Sequence, residues 1–412
     1  MSCIKKSFIN FAKKHYFILH ALRKVRFIIN RISYIKYFIF NKTNNNLIIF
    51  ESYMGRQYSC SPKAIYEQML KNPKFDDFIY VWALRDPSEY YDLSLNKNTK
   101  IIKFGSKEYY KTYSKAKYWV SNSRINEAIL KRKDQVYIQC WHGTPLKRLG
   151  YDIKYENGNS MNSSKDIKKK YSQDSKRYTY MISPSKFCTD RFVSAFNLKD
   201  KSIIKELGYP RNDELFKYKQ KDVIKIKKRL NIANNKKVIL YAPTWRDNQH
   251  KSGVGYTYKL GIDFDKLKSL SDEYVILFRT HYFVANYINL EKYKGFIINV
   301  SDYNDINDLY IVSDMLITDY SSVFFDYANL RRPIIYYMYD YDEYKNNLRD
   351  FYIKTSELPG PIVKNEDDLV SNIKSIDEVN TKYSEKYRKF NCKYNYLDDC
   401  NSSERVIEEC IK

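Results

Sequence analysis

The feature of this sequence that most limits its fold is a repeated pairing of a short apolar run with a polar cluster directly after it. Such runs are typical of buried strands, and stretches rich in Lys, Glu and Leu separate them. Strands are predicted at residues 47–50, 78–84, 100–104, 118–121, 136–140, 178–182, 203–205, 237–241, 274–278, 295–300, 315–318 and 333–337. This alternation of strands and helices predicts an α/β chain with parallel sheets.

The length of the chain predicts two domains. Its 412 residues exceed what a single hydrophobic core usually serves. We predict a Rossmann-like, doubly wound domain over residues 45–213 and a second one over residues 214–412 that ends in helices. A charged helix over residues 214–235 would begin the second domain, and the helical tail, residues 366–412, is able to pack back across the junction. The two domains are expected to face each other across a cleft.

The first 44 residues are predicted to form a basic amphipathic segment. Residues 1–40 contain nine Lys or Arg among apolar and aromatic residues, and no acidic residue precedes Glu51. No apolar run reaches the ~18–20 residues that a spanning helix needs, and no signal-peptide pattern is present. Two interpretations are open: a helix that lies on an anionic membrane, where each cation is worth about 1 kcal/mol, or a helix packed on the protein's own surface. We favour the membrane.

The charge of the chain indicates an anionic partner. A formal net charge of +24 fits nucleic acid, an anionic membrane surface or a polyphosphate substrate. Residues 161–177 are rich in Lys and form either a solvated helix or loop, or the edge of a groove that steers a polyanionic acceptor. The sequence favours neither of these two interpretations of the Lys-rich stretch.

The sequence gives no persuasive metal or ATP site. The seven Cys residues show no Cys-x-x-Cys pair and no zinc-ligand spacing, so we expect reduced thiols. Asp-x-Asp pairs at 263–265 and 340–342 have a spacing found in metal-dependent glycosyltransferases, but no supporting context. A Gly-x-x-x-x-Gly-Lys-Ser/Thr loop is absent, which argues against an ATPase. We predict no obligatory metal and no cofactor.

Polar residues with useful chemistry follow four of the predicted strands. They are Trp-His-Gly-Thr-Pro-Leu-Lys-Arg at 141–148, Ala-Pro-Thr-Trp-Arg-Asp at 242–247, Arg-Thr-His at 279–281 and Asp-Tyr-Ser-Ser at 319–322. Ligands of α/β sheets bind at the carboxyl ends of the strands. Imidazole, guanidinium and hydroxyl groups there suit a phosphate-bearing substrate.

These segments resemble, in the same order, those of the CDP-glycerol glycerophosphotransferases, which build teichoic acids and related capsule or cell-wall phosphopolymers. The resemblance is carried by His-Gly-Thr-Pro-Leu-Lys at 142–147, Gly-Tyr-Pro-Arg-Asn-Asp at 208–213, Tyr-Ala-Pro-Thr-Trp-Arg-Asp at 241–247, Arg-Thr-His at 279–281, Thr-Asp-Tyr-Ser-Ser-Val-Phe-Phe-Asp at 318–326 and Pro-Gly-Pro-Ile-Val at 359–363. It covers residues 45–400 and implies a GT-B-like fold.

The resemblance implies a transfer of glycerol phosphate from CDP-glycerol to a hydroxyl of a membrane-linked acceptor, with release of CMP. The hydroxyl needs a base, and the diphosphate needs donors that neutralise its oxygens. Members of the family are understood to use two histidines, and the motifs place them at His142 and His281. Which of the two is the base stays open. We favour His142, because its domain is expected to meet the acceptor.

The same motifs imply a set of substrate-binding residues. They are Gly143, Thr144, Pro145, Leu146, Lys147, Arg211, Thr244, Trp245, Arg246, Asp247, Arg279, Thr280, Ser321, Ser322 and Asp326. Arg279 and Arg211 would bind phosphate, while Ser321 and Ser322 would open a helix whose N-terminus attracts an anion. Trp245 either stacks on cytosine or only caps the core.

Two further roles are predicted for carboxylates. Asp326 would accept from a ribose or glycerol hydroxyl. Asp247 would orient either the glycerol hydroxyls or Arg246. Both roles rest on the resemblance and on the placement of these residues near predicted strand ends.

The expected partners are CDP-glycerol, a lipid-linked glycerol-phosphate or glycan acceptor, and the cytoplasmic face of an anionic membrane, which the protein would bind peripherally. No nucleic acid is expected. A CDP-ribitol or other CDP-polyol transferase is the nearest alternative, followed by a sugar-nucleotide glycosyltransferase. A basic RNA-binding or membrane-scaffold protein is the alternative from another class, but no RNA-binding motif is present. Primase, polymerase and capsule transferase all remain open, as does the oligomeric state.

Overall fold

The computed structural model describes residues 16–153, 164–244, 250–251, 255–256, 261–280, 290–341 and 351–412. Within them lie two parallel sheets, of seven and six strands, with helices on both faces. Two short antiparallel strands pair with each other and lie, in the sequence, between the first two strands of the second sheet. The two parallel sheets confirm the α/β fold class that the alternation of strands and helices predicts.

The first sheet occupies the N-terminal half of the chain. Its strands are β1 (Asn44–Glu51), β2 (Ile79–Leu84), β3 (Thr99–Lys103), β4 (Ala116–Ser121), β5 (Val136–Gln139), β6 (Tyr180–Ser183) and β7 (Ile204–Glu206). Its helices are α1 (Tyr16–Phe40), α2 (Cys60–Met69), α3 (Lys107–Lys115), α4 (Ser164–Ser175) and α5 (Lys186–Ala195). The strand order is β3-β2-β1-β4-β5-β6-β7, so the chain reverses its direction of growth between β1 and β4.

Side chains that alternate along the central strands of this sheet fill two separate cores. Ile49 packs with Trp119 on the side of α1, α3 and α5. Ile48 and Phe50 pack with Trp82 on the side of α2. Because both faces are covered, these strands are apolar almost throughout, which explains why the sequence shows them as short apolar runs.

The second sheet has the same plan. Its strands are β8 (Lys237–Ala242), β11 (Tyr274–Phe278), β12 (Ile297–Asn299), β13 (Met315–Thr318), β14 (Ile334–Tyr337) and β15 (Ile362–Val363), and β9 (His250–Lys251) and β10 (Gly255–Tyr256) are the antiparallel pair. The strand order β12-β11-β8-β13-β14-β15 places the reversal between β8 and β13. Leu240 of β8 lies opposite Leu277 and Leu316 in the register.

The described helices of the C-terminal half are α6 (Glu214–Lys217), α7 (Gln220–Arg229), α8 (Ile306–Val312), α9 (Val323–Tyr327), α10 (Glu366–Lys374), α11 (Ile376–Tyr394) and α12 (Ser402–Cys410). All of them except the last, α12, pack on the faces of this sheet. Leu309, Phe324 and Phe390 pack against one face, and Leu369 packs against the other.

The prediction of one continuous helix over residues 214–235 is wrong, because the structure has α6 and α7 with a break between them. Tyr218 adopts an extended conformation, with φ −60 and ψ 152. The backbone N–H of Lys219 donates to Asp222 Oδ2 at 2.8 Å, which starts a new helix. The short strand β15 was not predicted, since two residues give no periodicity.

The C-terminal tail returns to the first sheet. Val406 and Ile407 of α12 are buried in the core on the α2 side of that sheet. Asp213 accepts from the backbone N–H groups of Ser402 and Ser403 at 2.9 and 2.8 Å, which holds the start of α12. The two halves are thus tied by the chain end as well as by the connection near Asp213. The domain limits given by the sequence stay predictions.

The C-terminal part of helix α1 packs on the first sheet. Tyr34 is fully buried and its hydroxyl donates to the Leu130 carbonyl at 2.5 Å. Arg31 donates to the Glu127 carbonyl at 3.0 Å. In the described part of the chain, no helix combines the length and the apolar character needed to cross a membrane.

Candidate active site

The loop after β5 presents His142 in a fixed orientation. Nδ1 of His142 lies 2.7 Å from the carbonyl oxygen of Asn122, which follows β4. A carbonyl oxygen can only accept, so Nδ1 carries the proton and the lone pair of the neutral ring lies on Nε2. The Trp141 ring lies 4.2 Å from the imidazole, centroid to centroid, and limits its movement. His142 is therefore prepared to accept a proton at Nε2.

The surroundings of His142 favour the neutral ring. Burial among protein atoms lowers the pKa of His142 to about 4, and the nearby cations Arg211 and Arg124 act in the same direction, while the hydrogen bond to Asn122 opposes them. His142 is nevertheless an exposed residue that lines the cleft, and water there weakens the effect of burial. At neutral pH the imidazole is uncharged and available as a base.

The two halves of the molecule enclose a cleft of about 370 Å³ beside His142. Ten further residues predicted for the site line it together with His142. They are Gly143, Thr144, Pro145, Leu146, Lys147, Thr244, Arg279, Thr280, Ser321 and Ser322. The structure thus brings together, from four strand ends, most of the residues that the motifs indicate.

Residues 142–147 form the contact between the two sheets at this cleft. Leu146 is buried in the core of the second sheet, although it follows a strand of the first. Its carbonyl accepts from the backbone N–H of Tyr352 at 2.8 Å. A Cβ on Gly143 would lie 3.3 Å from Ser322 Oγ, so the small residue lets the loop approach the opposite wall closely. The loop and the opposite wall therefore form one continuous site.

Arg279 brings a desolvated cation to the cleft. Its Nη1 donates to the carbonyls of Val300 and Tyr303 at 3.0 and 2.8 Å, which fixes one edge of the guanidinium. Burial lowers the pKa of Arg279. No carboxylate of the described residues forms an ion pair with it. A desolvated guanidinium that has no ion-pair partner among the described residues favours an anionic ligand at the cleft wall.

Hydroxyl groups and a helix start lie beside Arg279. Ser321 and Ser322 precede α9, as predicted, and both line the cleft. Ser321 Oγ accepts from the Val323 backbone N–H at 3.4 Å, whereas the Ser322 side chain makes no capping bond. The Ser322 hydroxyl therefore stays available to a ligand, in line with the preference of helix starts for anions.

Asp319 shapes the floor of the cleft. Its Oδ1 accepts from the backbone N–H of Thr244 at 2.7 Å and from that of Tyr320 at 2.5 Å. Asp319 is almost fully buried beneath the cleft, and its two bonds join the ends of β8 and β13. These bonds set the position of Thr244 at the reversal point of the second sheet.

Arg211 and Asp326 are engaged with each other. Arg211 Nη2 lies 2.5 Å from both carboxylate oxygens of Asp326, and its Nη1 donates to the His142 carbonyl at 2.5 Å. Both side chains are buried, and Asp326 also accepts from Asn212 at 3.2 Å. Neither lines the cleft of about 370 Å³. Their predicted contacts with substrate stay predictions, and what the structure shows is a support behind the His142 loop.

Four predicted residues, His281, Trp245, Arg246 and Asp247, lie outside the described residues, so their roles also stay predictions. Thr244 and Thr280, which directly precede these residues in the sequence, line the cleft. Sequence reasoning missed Asn122, whose carbonyl orients His142 and whose Oδ1 accepts from the Tyr53 N–H at 2.8 Å. A polar residue directly after the predicted strand 118–121 was the available signal.

Metal-ligand geometry is lacking in the part of the chain that the structure covers. No group of three or more His, Cys, Asp or Glu side chains there is placed to hold an ion. Asp265 of the first Asp-x-Asp pair instead forms ion pairs with Lys268 and Lys292. Six cysteines are described, and all six are free thiols.

Two Rossmann-like sheets joined at a cleft whose walls carry an imidazole, a guanidinium and hydroxyl groups define a GT-B-like transferase. The family model described as CDP-Glycerol:Poly(glycerophosphate) glycerophosphotransferase matches residues 33–412, and the chain belongs to that family. This confirms the resemblance on which the predicted site rests.

Similar proteins have related names. A teichoic acid poly(glycerol phosphate) polymerase of Bacillus spizizenii is 40% identical over 371 residues, which is 89% of this chain and 92% of that protein. One of Staphylococcus epidermidis is 42% identical over 363 residues, 87% of this chain but 49% of that protein, so the chain spans about half of its length. The structure of the wall teichoic acid polymerase TagF matches with a TM-score of 0.84 at 38% identity, over 98% of this chain and 97% of that chain.

A teichoic acid poly(ribitol-phosphate) polymerase of Bacillus spizizenii is less similar, with 30% identity over 376 residues, 89% of this chain and 56% of that protein. The relatives named for glycerol phosphate thus resemble the chain more than this relative named for ribitol phosphate.

Proposed function

We propose that this protein transfers glycerol phosphate from CDP-glycerol to a hydroxyl of an acceptor and releases CMP. The observation that carries the proposal is the pairing of His142, oriented by Asn122, with Arg279 across one cleft. A base and a desolvated cation on facing walls are what transfer from a diphosphate requires. The family and its relatives supply the identity of the donor.

The proposed reaction follows from these groups. The acceptor oxygen bonds to the phosphorus of the glycerol phosphate while the bond from that phosphorus to the bridging oxygen breaks, and CMP departs. The acceptor's proton passes to Nε2 of His142. Arg279 and the Ser322 hydroxyl offset the negative charge on the diphosphate oxygens, which otherwise repels the incoming oxygen. His281 is proposed as the partner of the departing CMP phosphate.

The proposed acceptor is attached to a membrane, and α1 supports this. Its side chains Ile32, Ile39 and Phe40 are 64%, 67% and 84% exposed, while Tyr34 holds the opposite side to the protein. Exposed apolar residues at helical spacing among cations fit a helix that lies in the surface of an anionic bilayer. We propose a peripheral position on the cytoplasmic face, where a lipid-linked acceptor and a nucleotide donor meet.

The nearest competing function is transfer of ribitol phosphate from CDP-ribitol. It would use the same phosphate-binding groups and differ around the polyol. The lower similarity to the ribitol-phosphate polymerase favours glycerol. An RNA-binding function has only the net charge of the chain in its favour, and the strand-end residues would have no purpose in it.

The test is CMP release by the purified full-length protein with a lipid-linked glycerol-phosphate acceptor. We expect release with CDP-glycerol and far less with CDP-ribitol at equal concentration. Product length, read by mass spectrometry, distinguishes addition of one unit from polymerisation. Two results would overturn the proposal: CMP release with CDP-ribitol but not with CDP-glycerol, or no CMP release with either donor.

A further inference from the structure

A second cavity, of about 720 Å³, is also lined by His142. Residues that follow three strands of the first sheet line it: Tyr53 after β1, Ser123 after β4 and His142 after β5. The cavity is therefore at the carboxyl edge of the first sheet, at the reversal between β1 and β4. Crevices at such reversal points are where open α/β sheets bind ligands. We call this cavity the arginine groove.

The arginine groove and the cleft share His142. Trp141, His142 and Leu149 line both cavities, so His142 lies between them. In phosphoryl transfer the attacking and leaving oxygens lie roughly in line with phosphorus. With the donor diphosphate against Arg279 in the cleft, the attacking hydroxyl comes from the opposite side. The arginine groove is the other cavity that His142 lines, which makes it the candidate for the acceptor side.

Cations dominate the walls of this groove. They are Arg26, Arg56, Arg85, Arg124, Lys170 and Arg177. Two carboxylates, Glu127 and Asp174, also line the groove, and Asp174 is paired with Arg177. Within the described chain neither Arg56 nor Arg124 forms an ion pair. Arg56 is exposed, and Arg124 lies over the Tyr171 ring at 5.1 Å. The excess of positive charge predicts an anionic occupant.

The wall that carries Arg56 is held in a defined shape. Tyr53, Met54 and Gly55 have φ values of 49, 59 and 74, which is costly for the two residues that have a Cβ. The Tyr53 N–H donates to Asn122 Oδ1 at 2.8 Å and the Met54 N–H to Ser123 Oγ at 3.0 Å. The Arg85 N–H donates to the Gly55 carbonyl at 2.6 Å. Strained backbone that is fixed in this way is typical of binding sites.

We propose that the arginine groove binds the phosphate groups of the acceptor next to its terminal hydroxyl, so that the protein selects acceptors that already carry glycerol phosphate. The proposal rests on the proposed function and adds the identity of the acceptor site and its ligand chemistry. Arg26 connects the groove to α1, so an acceptor that leaves the groove passes the helix proposed to lie on the membrane.

The experiment is steady-state kinetics of the full-length protein with a soluble glycerol-phosphate oligomer and no vesicles. Arg56→Gln and Arg124→Gln are each expected to raise KM for the oligomer about tenfold, the loss of one charge-assisted hydrogen bond, and to leave KM for CDP-glycerol unchanged. Arg56→Lys should recover part of the loss because it restores the charge. Arg331→Gln, which removes an exposed arginine of the C-terminal half, is the matched control and should leave both KM values unchanged.

Failure of the proposed function and failure of the arginine groove give different kinetic results. Wild-type protein that releases no CMP from CDP-glycerol contradicts the proposed function itself. Wild-type turnover with unchanged oligomer KM in the Arg56→Gln, Arg124→Gln double variant overturns only the arginine groove. A second arm repeats the kinetics with the acceptor in anionic vesicles. If the variants raise the acceptor KM only in that arm, the arginines bind lipid headgroups and the arginine groove is also overturned. Thermal midpoints near the wild-type value show that each variant is folded.

Discussion

The carboxyl edges of the two sheets have the same backbone plan but different side chains. At the edge of the second sheet, one half-buried arginine, Arg279, and hydroxyl groups face a cleft of about 370 Å³. At the edge of the first sheet, exposed arginines face a groove of about 720 Å³. A compact diphosphate suits the first arrangement, and an extended polyanion suits the second. The difference shows that the fold supplies the place for a ligand, while the residues after each strand decide its chemistry.

The largest expected effect concerns His142, which lines both the cleft and the arginine groove. His142→Ala should reduce kcat for CMP release by ~10²–10⁴, because the acceptor hydroxyl loses its base. Donor binding, measured by calorimetry, should survive, and so should the thermal midpoint. His281→Ala is expected to cause a similar loss. Near wild-type kcat in a folded His142→Ala protein would show that His142 is not the base for the acceptor hydroxyl.

The second effect concerns the link between the edges. Asp326→Ala leaves Arg211 as an uncompensated buried charge, which should lower the free energy of unfolding by about 3–5 kcal/mol. Denaturant unfolding measures this. Glu385→Ala removes the carboxylate of an exposed ion pair with Arg388 and serves as the control, with little change expected. Equal stability of the two variants would show that the Arg211–Asp326 pair does not hold the halves together.

The third effect concerns α1, the helix proposed to lie on the membrane that carries the acceptor. Ile32→Ser with Ile39→Ser should weaken binding to anionic vesicles about a hundredfold, since each isoleucine contributes about 1.5 kcal/mol when buried in lipid. Turnover of a soluble acceptor should be unchanged. Ile224→Ser, at a 47% exposed isoleucine of α7, is the control. Sedimentation with vesicles checks the result, and unchanged binding of the double variant would remove α1 as the anchor.

The fourth effect is confined to the donor edge. Ser321→Ala with Ser322→Ala should raise the Kd for CDP-glycerol about tenfold, because two neutral hydrogen bonds contribute about 0.5–1.5 kcal/mol each. The oligomer KM should stay constant. A rise in oligomer KM with unchanged donor Kd would instead place these serines on the acceptor side.

The smallest effect is the pH dependence of His142. Its lowered pKa means that the neutral base persists below the ordinary value of 6.5 and is lost as pH falls through the folded-state value. The acid limb of kcat/KM should therefore lie below pH 6.5. The acid limb of kcat should lie higher, since bound phosphates favour the imidazolium. Arg124→Gln should move the kcat/KM limb upward. An acid limb of kcat/KM above 6.5 would contradict the lowered pKa.

Much of this site could be predicted because local patterns decide it. The strands at 274–278 and 315–318 match the predicted limits, since buried apolar runs end abruptly in polar residues. The Arg211–Asp326 pair could not be predicted, because 115 positions separate the two residues and only the fold brings them together.

Tertiary contacts also explain the wrong and missed predictions. The predicted helix 214–235 breaks at Tyr218, whose hydroxyl accepts from Arg332 at 2.7 Å, a contact that no periodicity shows. The role of Asn122 depends on the loop after the neighbouring strand, because its carbonyl accepts from His142. Residues whose role depends on a distant partner, such as Tyr218 and Asn122, were therefore the ones that sequence reasoning placed wrongly or overlooked.

The most direct test of separate donor and acceptor edges is calorimetric titration of CDP-glycerol into wild-type, Arg279→Ala and Arg56→Gln proteins. Removal of Arg279 deletes a charge-assisted contact worth about 1.5–3 kcal/mol, so its donor Kd should rise by about 10- to 100-fold. Arg56→Gln should bind CDP-glycerol as wild type does. Equal loss of donor affinity in the two variants, or no loss in Arg279→Ala, would contradict the assignment of the donor to the second sheet and the acceptor to the first.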